Sequence, residues 1–430
     1  MSSLERPRLR PLSARRIEHE GRSFAMLQDP LGAFRDPVLV PLDAFVKVCR
    51  HFDGENSIED VRARILAETG EPMPEDVLSR LVSQLDRAMV LDGPRFADYL
   101  GEYRRTETRP AALAGRSYSA DGMALRAQIN GLYAGAGGAG PPALGGPPAE
   151  RIRGVLSPHI DFGRGGPVYT WAYKALAEQA DADVYVILGV AHQPCRRRFA
   201  LTRKDFETPL GVVRTDREYV ERIASIAGDD LFDDELVHRA EHSVEFQTVF
   251  LRHVLSAERE FRIVPILAGS FHDLMERGVD PIEDPSVRRF IEALREAERA
   301  GGKKVAYIGG IDLCHVGPEF GDAAPVDDKL QETVRAFDRE MLDRAAEGDA
   351  AGWFRTAAGV SNRYRVCGLA ATYTMLRTIG PVNGKLLRYD QALDARRRCC
   401  VSFASMVFRA ARPDPCPGPP HPVIDGHASR

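Results

Sequence analysis

The chain lacks most of the features that would assign it quickly. No uninterrupted apolar run approaches the ~18 residues of a membrane span, and no apolar leader opens the N-terminus. The seven cysteines are odd in number and never fall in a C-x-x-C spacing, which argues against a disulfide framework or a structural zinc knot. The glycine-rich stretch GAGGAGPPALGGPP (Gly135 to Pro148) is followed by no G-K-[ST] and opens no helix, so it is no phosphate cradle and reads as a surface loop. Nor is one sign of charge in excess. A net charge of −4 provides no basic surface for nucleic acid. Together these absences predict a soluble, cytoplasmic protein that engages neither membrane nor nucleic acid.

What is present is a globular composition, 44% hydrophobic and 28% charged, in a chain long enough for two domains. Up to about Phe96 the sequence is charged and amphipathic. PLDAFVKVCRHFDGENSIEDVRARILAE reads as two helices around a DGENS turn, with Ser57 as N-cap of the second. MPEDVLSRLVSQLDRAMVLDG adds a helix starting near Pro74, with Val77, Leu78, Leu81, Leu85 and Met89 as its apolar stripe. Residues 1–100 are therefore expected to form a small helical or winged-helix domain. Their helix, turn, helix and short strand MVLDG resemble PqqD-like winged-helix domains, and that resemblance implies peptide or partner binding. The proline-rich end, 411–430, reads as a disordered tail.

Between these regions strands and helices alternate. Predicted strands are IRGVLS (Ile152–Ser157), DVYVILGV (Asp183–Val190), RFALTR (Arg198–Arg203), FRIVPILA (Phe261–Ala268), KVAYIGG (Lys304–Gly310), GKLLRYD and CCVSFASMVF (Cys399–Phe408). Several are apolar throughout, as expected where helices cover both faces. The pattern predicts an α/β fold with a largely parallel central sheet flanked by helices.

In such a sheet ligands collect outside the carboxyl ends of the strands. IRGVLS runs into PHIDFGRGG with His159 and Asp161, DVYVILGV into AHQP with His192, and KVAYIGG into IDLCHVG with Asp312, Cys314 and His315. Any one such histidine is ordinarily a satisfied core or loop residue. Three strands delivering imidazole or thiol at one end predict a shared partner, because buried polar groups need one. His159, His192 and Cys314 form a two-imidazole, one-thiolate set that suits iron or copper, with zinc also compatible.

Two further patterns lie in HRAEHSVEFQ. His242 and Glu245 stand at i and i+3, either as a general acid/base with its orienting partner or as a buried pair bonded to each other. HRAEH (His238 to His242) also fits H-x-x-E-H, in which two histidines hold zinc and Glu241 is the base of a metallohydrolase. Cys399 and Cys400 sit in an apolar strand, and Cys367 reads as packed at a helix start or lining the pocket.

From about Arg109 to Phe408 the ordered motifs RPAALAGRSYSADG, SPHIDFGRGG, VILGVAHQP, EHSVEFQ, FRIVPILAG, IDLCHVG and YRVCGLAATYTML resemble the Memo family, called AmmeMemoRadiSam system protein B in prokaryotes. The resemblance implies a Memo-like metal-binding domain over 109–410 with a fold related to class III extradiol dioxygenases, which use non-heme iron. It implies His159, His192 and Cys314 as ligands and His242 as a pocket histidine. A thiol where the dioxygenases carry a carboxylate points away from ordinary ring cleavage, since sulfur alters the metal and is itself oxidisable. Two departures from the family's pattern are GGID in place of Ser-Ser-Asp before the thiol, with Asp312 kept, and Leu369, where relatives often show arginine.

The expected function is a metal-dependent, dioxygenase-like redox protein. Catalytic candidates are His242 and Glu245, with Asp312 and His315 supporting the ligands; the substrate is a small molecule or peptide and a radical-chemistry enzyme is the pathway partner. A non-catalytic binding protein on the same fold is the alternative reading, and the H-x-x-E-H hydrolase a minor one.

Overall fold

The computed structural model describes residues 4–411 apart from 35, 144–151, 229, 256–258, 395 and 397. The proline-rich tail beyond 411 and the end of the glycine-rich stretch, 144–148, therefore lie outside the described residues.

The chain opens with an antiparallel sheet of β1 (Ser13–His19), β2 (Arg22–Gln28) and β3 (Val38–Pro41), followed by helices α1 (Leu42–Lys47), α2 (Ile58–Thr69), α3 (Glu75–Arg87) and α4 (Pro94–Arg105). Ser57 and Asp60 close a reciprocal capping box at the start of α2, as the sequence predicts. Pro74 precedes α3, whose buried stripe is Leu78, Val82 and Leu85; Val77 faces solvent instead. The three strands leave little trace in the sequence, because β1 is exposed along nearly its whole length and shows no apolar alternation. Of MVLDG, Leu91 makes only an isolated bridge to Leu9. This region has its own apolar core, drawn from Ala25, Val40, Phe52, Val61, Leu78, Val82 and their neighbours.

A short strand β4 (Thr108–Arg109) and helix α5 (Gly122–Ala134) lead into the main domain. It continues through β5 (Ile152–Ser157), α6 (Phe162–Gln179), β6 (Val184–Val190), β7 (Phe199–Leu201), β8 (Asp205–Phe206), α7 (Arg217–Ala227) and α8 (His242–Val254). Then follow β9 (Arg262–Ala268), α9 (His272–Glu276), α10 (Pro285–Gly301), β10 (Val305–Gly310) and β11 (His315–Val316). Helices α11 (Asp328–Ala346), α12 (Ala350–Ala358) and α13 (Leu369–Ile379) precede a long hairpin of β12 (Val382–Asp394) and β13 (Cys399–Ala410). No helix among the described residues is long and apolar enough to cross a membrane.

The main sheet runs β11-β13-β5-β10-β6-β9-β7, with β12 paired to β13. Its four central strands, β5, β10, β6 and β9, are mutually parallel, while β13, β12, β11 and β7 pair antiparallel. The sheet is thus mixed, with a parallel centre between antiparallel edges. Alternation along β6 divides the core: Val184, Val186 and Leu188 pack with α7, α10 and α13, whereas Tyr185 and Ile187 pack with α5, α6 and α8. Because the centre is parallel, Ser157, Val190 and Gly310 all end at one edge.

Two glycines let the first turn of α8 settle against that edge. A Cβ on Gly310 would lie 2.6 Å from the Ser243 carbonyl, and one on Gly189 would lie 2.5 Å from the Ser243 hydroxyl. In their absence Ser243 Oγ stitches the helix to β6 through both the amide and the carbonyl of Val190, each at 3.0 Å. Gly310→Ala must push β10 and α8 apart; we expect it to cost roughly 1–3 kcal/mol, the usual price of overpacking. Urea unfolding measures this, and an unchanged midpoint would contradict the close-approach argument.

Candidate metal centre

Three histidines converge above the parallel edge. His159 follows β5, His192 follows β6, and His242 is the first residue of α8. Their ligand nitrogens all lie within 4.8 Å of one another, the one such grouping of histidine, cysteine or carboxylate atoms among the described residues. Ring centroids are 4.9 Å apart for His159 and His192, 5.0 Å for His159 and His242, and 4.6 Å for the nearly parallel rings of His192 and His242. His159 is buried, at 1% exposure, whereas the side chains of His192 and His242 are each 33% exposed. One ligand is thus sealed in the protein and two face the solvent side.

Each ring is oriented from behind. His159 Nδ1 lies 2.9 Å from the Gly310 carbonyl, an acceptor that fixes the proton on Nδ1 and leaves Nε2 as the lone-pair nitrogen. Its backbone amide donates to Asp312 Oδ1 at 2.9 Å. His192 Nδ1 sits 3.0 Å from both oxygens of Glu241, and its amide donates to the same carboxylate at 3.1 Å. Glu241 is also the N-cap of α8, accepting from the amides of His242 and Ser243, and it stands 3.1 Å from His242 Nδ1. A single carboxylate therefore positions two of the three imidazoles.

The electrostatics favour neutral rings at His159 and His242 and the protonated ring at His192. Burial, then the two neighbouring imidazoles, press the His159 pKa well below its ordinary value. Burial lowers that of His242 against the pull of Glu241. At His192 burial acts in the same direction, but Glu241 more than offsets it by charge and hydrogen bond. Burial opposes the charge of Glu241, yet His192, His242 and the helix amides hold it well below the usual carboxylate range. Burial pushes Asp312 up to about 7. Three converging imidazoles, two of them held neutral and the third backed by a carboxylate that would keep Nδ1 protonated when Nε2 binds, fit a divalent transition metal.

The thiol at this site is Cys367, not Cys314. Cys367 Sγ lies 3.3 Å from His159 Nε2, at the start of α13. Cys314 is fully buried and points elsewhere: its thiol donates to Asp338 Oδ1 on α11 at 3.0 Å, and burial followed by Asp338 pushes its pKa far up. The reason is the path of the chain. Beyond Gly310 it runs alongside β13, with Leu313 and Cys314 bonded to Ser402, so that Cys314 faces the α11 side of the sheet.

Other candidates also move. Glu245 is not beside a ligand nitrogen as an acid or base; it forms a fully buried pair with Arg109 at 2.5 Å and accepts from Ala112, Leu113 and Tyr118. His315 turns Nδ1 to the carbonyls of Leu313 and Arg365 and packs on Phe320, outside the trio; burial lowers its pKa to about 4. Asp161 caps α6. HRAEH does not lie on one helix: His238 lies within a 3-10 turn that ends at Arg239, buried with Nε2 on the Ala200 carbonyl, while His242 begins α8. The two-histidine, one-turn geometry of the hydrolase motif is thus missing. Sequence reasoning placed Glu241 only in that motif; its position as an acidic N-cap directly before a site histidine was the available signal.

A hollow of about 310 Å³ opens between His192, the end of β9 and the Cys367 loop, with Ala191, Met275, Val366 and Leu369 among its walls.

A family model described as Memo-like protein matches residues 109–407. A MEMO1 family protein of Aquifex aeolicus is 27% identical over 394 residues, covering 89% of this chain and 95% of its own length. One from Thermus thermophilus is 28% identical over 82% of this chain and 99% of its own, and one from Methanopyrus kandleri 30% identical over 70% and 99%. The Aquifex match is longer than the chain from Arg109 onward can supply, so likeness extends into the N-terminal region.

Replacing His242 by alanine is expected to weaken Zn(II) binding by more than about tenfold, the low end for disturbing even the groups behind metal ligands. Cys314→Ser should leave the affinity unchanged. Isothermal titration with both variants checks the assignment, and the reverse ranking would restore Cys314 to the centre.

Proposed function

The chain belongs to the Memo-like protein family, and on that premise we propose that it is a metal-dependent redox protein acting on a small molecule. The observation that carries this reading is the convergence of three imidazole nitrogens within 4.8 Å at the carboxyl edge of a parallel sheet. His159, His192 and His242 would hold the ion, with the Cys367 thiol beside it. Nitrogen donors with an adjacent sulfur suit iron or copper, and zinc also fits the donor set. Iron or copper bound here would supply one-electron chemistry.

The protein's own residues do the rest. Glu241 fixes the orientation of His192 and the start of α8, and Gly310 and Asp312 fix His159. The hollow beside His192 and Cys367 is of the size that takes a small ligand, and its walls are mostly apolar. Partial exposure of His192 and His242 would leave a held ion reachable by substrate, and the buried His159 would anchor it.

Elemental analysis of anaerobically purified full-length protein tests the reading. We expect about one iron or copper per chain, lost in His159→Ala. Metal-free protein that also takes up none on reconstitution would overturn it. Stoichiometric zinc alone would keep the centre and remove the redox role.

A further inference from the structure

Arg109 touches none of the three histidines, yet its contacts converge on the peptide that holds two of them. It is fully buried. Its guanidinium donates Nε to the His238 carbonyl at 2.5 Å and Nη2 to the Glu241 carbonyl at 2.8 Å. Nη1 donates to the carbonyl of Pro110 at 3.0 Å and pairs with Glu245 at 2.5 Å. The Phe206 ring lies beneath, 5.0 Å away.

One carboxylate suffices to balance a buried cation, and Glu245 supplies it. The two carbonyls are additional. One belongs to the 3-10 turn Glu235–Arg239 and the other to the N-cap of α8, and the backbone between them must place the Glu241 carboxylate against His192 and begin a helix with His242. Only a planar fork of several N–H donors serves these acceptors at once; an ammonium could neutralise Glu245 but not span the set.

Arg109 is also the point where the N-terminal region enters the main domain. Helix α4 packs Phe96 and Tyr103 against Leu236 of the same 3-10 turn. Lys204 Nζ then ties down the carbonyls of Arg104 and Thr106, just before β4 pairs with β8.

We propose that Arg109 is a positioning residue for the metal centre: by gripping the carbonyls of His238 and Glu241 it sets where Glu241 meets His192 and where α8 presents His242. The proposal rests on the reading of these histidines as metal ligands. It makes the entry of the N-terminal region into the main domain a part of the site's support.

The test uses full-length protein and Co(II) alone, comparing Arg109→Lys with Tyr118→Phe. The first keeps the charge opposite Glu245 and loses the fork; the second removes a buried hydrogen bond to Glu245 and leaves the carbonyl grip intact. Arg109→Lys should raise the Co(II) Kd by about tenfold or more and alter the visible spectrum, while Tyr118→Phe keeps both even if its melting temperature falls. Wild-type affinity and spectrum in Arg109→Lys would overturn the proposal, as would equal changes in the two variants. Hydrogen exchange on the wild type needs no variant to fold. Since coupling is reciprocal, Co(II) should slow exchange of the amides at 108–113; protection confined to the segments around 159, 192 and 242 would also overturn it. Wild-type protein that takes no Co(II) would defeat the metal reading itself, an outcome distinct from either.

Discussion

The carboxylate of Glu241 is the constraint around which the site is arranged. It is buried, so its charge must be met at once by donors, and those donors are the first amides of α8 and the amide and ring of His192, with the His242 ring 3.1 Å away. An N-cap is usually an ordinary device for starting a helix. Here the same oxygens that start α8 also fix the tautomer of a ligand candidate carried by β6. Helix and strand end are therefore held in register by one group, and neither can shift without unsatisfying it.

That register is possible only because the sheet lets the helix come close. The parallel order β5-β10-β6 brings three carboxyl ends side by side, but parallel strands alone would give ligands in a row. Convergence needs a third direction. It comes from α8, lowered onto the edge over Gly189 and Gly310 and stitched there by Ser243. Gly310 serves twice, since its missing side chain admits the helix and its carbonyl orients His159.

Much of this was legible in the sequence. The central strands read clearly because they are apolar on both faces, and the histidines after β5 and β6 followed from the rule that ligands gather at the carboxyl edge. His242 was visible as a site residue, although not as the third member of the trio. What failed was the step from strand end to side-chain direction. Cys314 follows β10 as His192 follows β6, yet the chain there continues along β13, and the thiol turns to Asp338. No local pattern reports such a path. Glu245 misled for a similar reason: its spacing from His242 is that of a helical neighbour, but its partner Arg109 lies far away in sequence. The N-terminal hairpin went unread because β1 is exposed along nearly its whole length and carries no apolar code, which left the half-buried β2 without a visible partner.

The thiol that does reach the site arrives by a different kind of structure from the histidines. Ser361, Asn362 and Arg365 all have positive φ, at 50°, 46° and 53°, in the turn just before Cys367. Such conformations cost energy in non-glycine residues and persist only where surroundings over-determine them. The surroundings here are the Arg365–Asp322 fork, the Asn362 side chain on the Val366 amide, and reciprocal contacts between His315 and Arg365. His315, read from sequence as support for a ligand, instead helps hold the turn that delivers the sulfur. The three imidazoles are thus mounted on strand ends and a helix start, while the thiol rides on a separately clamped turn. The two mounts meet at Asp312, whose carbonyl receives the Gly368 amide at 3.1 Å and lies 3.5 Å from the Cys367 thiol, while its carboxylate holds the His159 amide.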